Sequence, residues 1–215
     1  ILDIIHLILW RLGMIKWIGF DADDTLWDYE IIYHQAKDKI TKILGDGYNT
    51  EQLLEKLDDL EIKNIPLYGY GIKSYALSLF ELLASSSTKS IQPVILSKFI
   101  SMIKDMLNTD FKINPHAEKT LAMLSSRFNL ILITKGEGYE QSRKIEKSGL
   151  VDFFSEIEVV SQKTEATYHQ VLKRYQIAAQ NFLMVGNSLK SDILPVVQIG
   201  GSAVHIPHEQ AWFHE

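Results

Sequence analysis

A short run of β-branched and aromatic residues, Ile15 to Phe20 (IKWIGF), stops abruptly at an acidic cluster, DADD, that begins with Asp21. A buried parallel strand ends this way when its carboxyl end carries chemistry, so the pattern predicts a first core strand here. From Tyr29 to about Met106 the apolar positions recur at helical spacing: Ile31, Ile32 and Gln35 to Ile40, then Leu53, Leu54, Leu57 and Leu60, then Leu77, Leu79, Phe80, Leu82 and Leu83, then Phe99, Ile100, Ile103 and Leu107. Breaks rich in Gly, Pro, Asn or Ser fall at 45–49, 64–71 and 85–93. The spacing predicts about four helices with short connections, packed as a small bundle without strands.

After Pro115 the rhythm alternates. Helices are predicted at Ala117 to Arg127, Gln141 to Lys147 (stopped by Gly149), Ala166 to Tyr175, and from Ser191 into Val197 with Pro195 in its first turn. Between and after them, strands are predicted at Leu130 to Ile133 (LILI, ending at Thr134), Ile157 to Val160, Phe182 to Val185 (ending at Gly186) and Ser202 to Ile206. Strands alternating with helices form a parallel sheet with right-handed crossovers. The first strand needs that sheet to cover its faces. The fold class is therefore α/β, a Rossmann-like core from residues 14–28 and 112–215, with 29–111 inserted as a helical unit.

Residues 1–13 (ILDIIHLILWRLG) are strongly apolar, but Asp3, His6 and Arg11 interrupt them. The run also falls short of the ~20 residues that a membrane-spanning helix needs, and it lacks the basic start and cleavage site of a signal peptide. Met14 directly precedes the strand, so the natural start is expected there and 1–13 is read as an extension. The competing reading is an amphipathic helix packed on the body or at a dimer contact.

Composition narrows the function. The chain of 215 residues is 46% apolar, with 22 Lys plus Arg against 27 Asp plus Glu, net −5. Its mean hydropathy of −0.02 and pI near 5.8 are those of an ordinary globular protein. The mild negative balance offers no general attraction to nucleic acid or anionic membranes. The absence of cysteine excludes disulfides, thiolate catalysis and Cys-ligated metals. A cytoplasmic monomer or homodimer is the expectation.

In a parallel α/β sheet, residues just past the strands meet at one crevice. Here they are Asp21 and Asp23, Thr134, Lys163, and Asn187 with Asp192. This is a phosphoryl-transfer set: one carboxylate to attack phosphorus and a second, two residues on, to protonate the leaving oxygen. A hydroxyl and an ammonium hold the transferred group's oxygens, and a hard cation offsets charge repulsion.

With these residues in view, the chain resembles the haloacid dehalogenase-like hydrolases, mostly magnesium-dependent phosphatases. DADDTLWD at 21–28 is similar to the family's first motif, Thr134 to its second, Lys163 to its third and GNSLKSD at 186–192 to its fourth. The resemblance spans nearly all of 15–206. It implies that Asp21 forms an aspartyl-phosphate and binds Mg2+, and that Asp23 acts as acid, then base, and lends the metal its carbonyl. It implies further that Thr134 and Lys163 bind the phosphoryl group of a small phosphorylated substrate, that Asp192 and Asn187 complete the metal site, and that 29–111 is a substrate-selecting cap. Asn187 departs from the pattern, since an acid is usual there; it removes one negative charge and implies weaker magnesium binding.

Rival readings remain. Phosphomutase chemistry uses the same intermediate, and a non-catalytic binding module is suggested by Asn187. A dehalogenase needs no acid at Asp23, and a receiver domain would lack the insertion. Asp24 and Asp28 are expected to be solvated, with Thr25 as a turn-stabilising hydroxyl. Gly136 and Gly138 do not complete a dinucleotide fingerprint, and His205, His208 and His214 suit no helical zinc motif. The stretch PLYGYGIKSY at 66–75 is expected to be a helix–helix loop with packed aromatics.

Overall fold

The computed structural model describes residues 13–45, 49–86 and 92–208. The expectations for residues 1–12, for the centres of the breaks at 45–49 and 85–93, and for His214 lie outside them. The chain divides into two compact units, one running up to Asp28 and resuming at Lys112, the other Tyr29–Phe111.

The first unit is built on five parallel strands: β1 (Trp17–Phe20), β4 (Asn129–Lys135), β5 (Glu156–Val160), β6 (Phe182–Gly186) and β7 (Ser202–His205), in the spatial order β5-β4-β1-β6-β7. β1 lies at the centre, with Phe20 beside Leu132 on one side and Val185 on the other. Its strands are apolar on both faces because both are covered: Leu130 to Ile133 of β4 and Phe182, Met184 and Val185 of β6 are buried. One core gathers Ile131, Ile133, Phe182 and Met184 against Tyr168, Val171 and Leu172 of α7 (Glu165–Arg174) and Val196 of α8 (Leu194–Gln198). The strand order reverses between β1 and β6, the switch point where open α/β sheets bind their ligands. α5 (Ala117–Ser125) leads into β4, and α6 (Gly138–Ser148) runs between β4 and β5.

A second, two-stranded element escapes the sequence pattern. β2 (Trp27–Asp28) pairs antiparallel with β3 (Lys112–Ile113), and Asn114 donates its amide to the Thr25 carbonyl at 2.7 Å. Two-residue strands carry no period to read, yet this pair joins the chain where it leaves the sheet unit to where it returns.

The second unit consists of α1 (Glu30–Leu44), α2 (Thr50–Tyr68), α3 (Ile72–Ser86) and α4 (Pro93–Asn108). Its core includes Ile32, Ile40, Leu57, Tyr75, Leu79, Phe99 and Met102. The expected break at 64–71 narrows to residues 69–71. Pro66 sits in the last turn of α2, where its missing N–H costs one bond and stops nothing, and Asn64 is buried with its amide on Ser78 and Glu81 of α3. The helix expected from Ser191 begins instead as a π-helical turn, Leu189–Ile193, with Pro195 opening α8 behind it. Among the described residues no helix is long and apolar enough to cross a membrane.

Candidate active site

Asp21 directly follows β1, and its N–H donates to Val185 O at 2.9 Å, which carries the pairing with β6 one residue past the strand. Its carboxylate is buried and held from two sides. Lys163, from the loop before α7, donates to Oδ1, and the Thr25 hydroxyl donates to Oδ2 at 3.1 Å. The same ammonium reaches Asp192 Oδ1 at 2.6 Å, so one cation bridges two buried carboxylates carried by the ends of different strands. Asp192 is fixed in turn by the Ser188 N–H, 3.0 Å from Oδ2, within the π-helical turn.

Burial raises the Asp21 carboxyl to about 7 against the pull of Lys163, with Asp192 and Asp23 adding to the rise. Burial works against charge on Lys163 as well, but Asp192 and Asp21 outweigh it and hold the ammonium above the ordinary lysine range.

Asp23 forms a second arm. Trp27 Nε1 donates to its Oδ1 at 2.7 Å, while Gln141 Nε2 at 3.0 Å and Lys144 Nζ at 2.6 Å reach Oδ2. Gln141 Nε2 also lies 2.8 Å from Thr134 Oγ1, so Thr134, buried at the end of β4, is tied to Asp23 through one amide. Asn187 is half-buried; its Oδ1 lies 3.4 Å from the Thr25 hydroxyl, and its carbonyl is 2.9 Å from His205 Nε2.

Asp21, Lys163 and Asp192 thus converge directly, Asn187 joins them through Thr25, and Asp23 joins Thr134 through Gln141. Two expectations are corrected. Asp24 is buried rather than solvated, because it adopts a left-handed φ of 60 and its N–H bonds Trp27 O at 2.7 Å, which folds the turn over it. Thr25 binds Asp21 directly, beyond stabilising its turn. Asp28 stays partly exposed, with His208 at 3.5 Å.

Gln141, Lys144 and Trp27 do not figure among the site residues expected from the sequence. The available signal was α6 itself, whose buried face carries Glu140, Gln141 and Lys144 where an apolar stripe would be ordinary. Among the described residues no three His, Cys, Asp or Glu side chains converge as ready metal ligands. The donors near Asp21 are all oxygens, two carboxylates and an amide, which is the chemistry of a hard cation.

Residues 15–200 match the family model described as haloacid dehalogenase-like hydrolase. A glyceraldehyde 3-phosphate phosphatase of Pyrococcus abyssi is 27% identical over 198 residues, covering 89% of this chain and 81% of that protein. A protein of the same name from Methanocaldococcus jannaschii is 25% identical over 200 residues, covering 90% and 85%. Among solved structures, a haloacid dehalogenase-like family hydrolase from Xanthomonas campestris superposes with a TM-score of 0.86 at 35% identity, covering 93% of this chain and 84% of that one. A 2-haloacid dehalogenase from Pseudomonas syringae, at TM-score 0.63 and 23% identity over 93% of this chain and 90% of that one, shares the fold.

Proposed function

The chain belongs to the haloacid dehalogenase-like hydrolase family, and from that premise we propose that it is a magnesium-dependent phosphohydrolase of a small phosphate monoester, working through an aspartyl-phosphate. The observation that carries the reading is the Lys163 bridge between Asp21 and Asp192, with Thr25 on the other Asp21 oxygen. It holds the Asp21 carboxylate, each oxygen met by one donor, directly after β1 at the switch point of the sheet.

In the first step an Asp21 oxygen attacks phosphorus, the bond to the leaving oxygen breaks, and Asp23 gives that oxygen a proton. In the second, Asp23 takes a proton from water as the water attacks the phosphorus of the aspartyl-phosphate, which releases phosphate and restores Asp21. Lys163 and Thr134 bind the phosphoryl oxygens. Asp21, Asp192, the Asp23 carbonyl and the Asn187 amide oxygen would hold Mg2+, which when bound offsets the repulsion between carboxylate and dianionic substrate. Residues 29–111 act as the cap that selects the substrate. The presence of Asp23 two residues after Asp21 supports phosphoester cleavage over halide displacement, in which no leaving proton is needed.

The test is a screen of phosphate monoesters with Mg2+, glyceraldehyde 3-phosphate among them, comparing wild type with Asp21→Asn. Hydrolysis by wild type and its loss in a folded Asp21→Asn protein is the expected result. Activity of Asp21→Asn within about tenfold of wild type overturns the mechanism.

A further inference from the structure

We propose that Lys144 and Gln141 form a clamp on one face of α6 that positions the Asp23 carboxylate for its proton transfers and couples it to Thr134. The inference rests on the reading of Asp23 as proton donor and acceptor given above. The two residues are three apart on the helix and so share a face. Both are buried, at 6% and 2% exposure, where the Lys144 ammonium and the Gln141 Nε2 each find acceptors.

Their common partner is Asp23 Oδ2, with Trp27 holding Oδ1 from β2, so the carboxylate is fixed at both oxygens by side chains from two elements. The start of α6 is itself fixed, because the Glu137 side chain caps it by accepting from the N–H groups of Tyr139 and Glu140. The turn before it is shaped around Gln141. Gly136 has φ +152, and a Cβ there would lie 2.9 Å from both Gln141 Cγ and Nε2.

Exposure separates positioning from substrate binding. The Asp23 side chain is 27% exposed and that of Lys144 only 7%, so the cation stands behind the carboxylate and turns it toward the open side. Lys144 is a positioning residue. A proton donor serves only while its oxygen lies within hydrogen-bond reach of the leaving atom, and a misplacement of about 1 Å costs on the order of a hundredfold.

The experiment measures kcat/KM for glycerol phosphate and for p-nitrophenyl phosphate with Mg2+ in wild type, Lys144→Met, Gln141→Leu, Lys144→Arg, Asp21→Asn, Asp23→Asn and the Asp23→Asn/Lys144→Met double variant. Circular dichroism follows folding. The alkoxide of glycerol needs a proton to leave and p-nitrophenolate does not. Lys144→Met is therefore expected to lose about tenfold or more on glycerol phosphate and to stay within about threefold on p-nitrophenyl phosphate. Lys144→Arg restores most of the loss, and the double variant is no slower on glycerol phosphate than Asp23→Asn alone.

Equal losses on the two substrates, or a Lys144→Met loss undiminished in the Asp23→Asn background, overturn the clamp. If Lys144→Met does not fold, Gln141→Leu must show the same selective loss, and its failure to do so overturns the proposal. Activity persisting in Asp21→Asn overturns the aspartyl-phosphate reading and this one with it, whereas an inactive Asp21→Asn with equal substrate losses overturns the clamp alone.

Discussion

Gly186 leaves Asp192 the space that a side chain would take: a Cβ on Gly186 would lie 2.2 Å from Asp192 Oδ2 and 2.6 Å from its Cβ. The last residue of β6 is thus glycine because the carboxylate that pairs with Lys163 folds back over it. Gly186→Ala must push Asp192 aside, and since the contact involves the root of that side chain as well as its tip, rotation alone does not relieve it. The expected cost is about 1–3 kcal/mol of stability, in the range of overpacked buried sites, together with a large fall in phosphatase activity. Urea unfolding checks the first and steady-state kinetics the second; an unchanged midpoint would show that the π-helical turn shifts freely.

The proposed metal site gives a second expectation. With Asp21 and Asp192 as its charged donors and Asn187 as a neutral one, Asn187→Asp adds a negative charge and is expected to lower the half-saturating magnesium concentration. Asp192→Asn removes a charge and leaves Lys163 with one buried carboxylate instead of two, so it is expected to raise that concentration severely. Chelation is expected to stop activity and added magnesium to restore it. A magnesium titration of the three proteins is the measurement, and an unmoved Asp192→Asn curve would leave Asp192 as a partner of Lys163 alone.

The sheet was legible because LILI in β4 and FLMV in β6 are apolar without alternation, the mark of strands covered on both faces, and because the first stops at Thr134 and the second at Gly186. Asp21, Lys163 and Asp192 were legible for the same reason: a parallel sheet brings its strand ends together whatever their separation in sequence. Lys144 was not. Helical periodicity assigns a charged residue to the solvent face, whereas its bond to Asp23, 121 residues away, accompanies its burial. Thr25 was half legible, since its place in a turn is a local signal but its bond to Asp21 depends on how that turn closes. Pro66 misled because a proline in the last helical turn reads in sequence like one that ends the helix.

Asp23→Asn tests the proton-transfer role directly. The amide oxygen of Asn can accept either from Trp27 Nε1 or from Lys144 and Gln141 but not from both sides, so circular dichroism accompanies the kinetics, while proton donation and acceptance are lost. Turnover of glycerol phosphate is expected to fall by about a hundredfold to ten-thousandfold, the ordinary contribution of general acid–base catalysis, with a milder loss of kcat/KM for p-nitrophenyl phosphate. Kinetics on both substrates decide the matter, and equal losses would argue for a purely structural Asp23.

The helical unit carries its own pH dependence at Glu61 on α2. Burial raises its carboxyl from 4.5 to about 7, with Asp58 adding to the rise and Lys37 opposing it. The folded carboxyl is thus harder to ionise than the unfolded one, and the sign follows. Below about pH 4 both states hold the proton and the group costs nothing; from there to about pH 7 the unfolded chain releases it first, and stability falls as pH rises. Above that the loss is constant, with a ceiling of about 3 kcal/mol set by the size of the shift. Glu61→Gln removes the titration while keeping the shape. It is expected to unfold at a higher temperature than wild type at pH 8 and at the same temperature at pH 4, as read by circular dichroism melts at both values. A variant less stable than wild type at pH 8 would mean that the Glu61 carboxylate is stabilised by Lys37 more than it is penalised by burial.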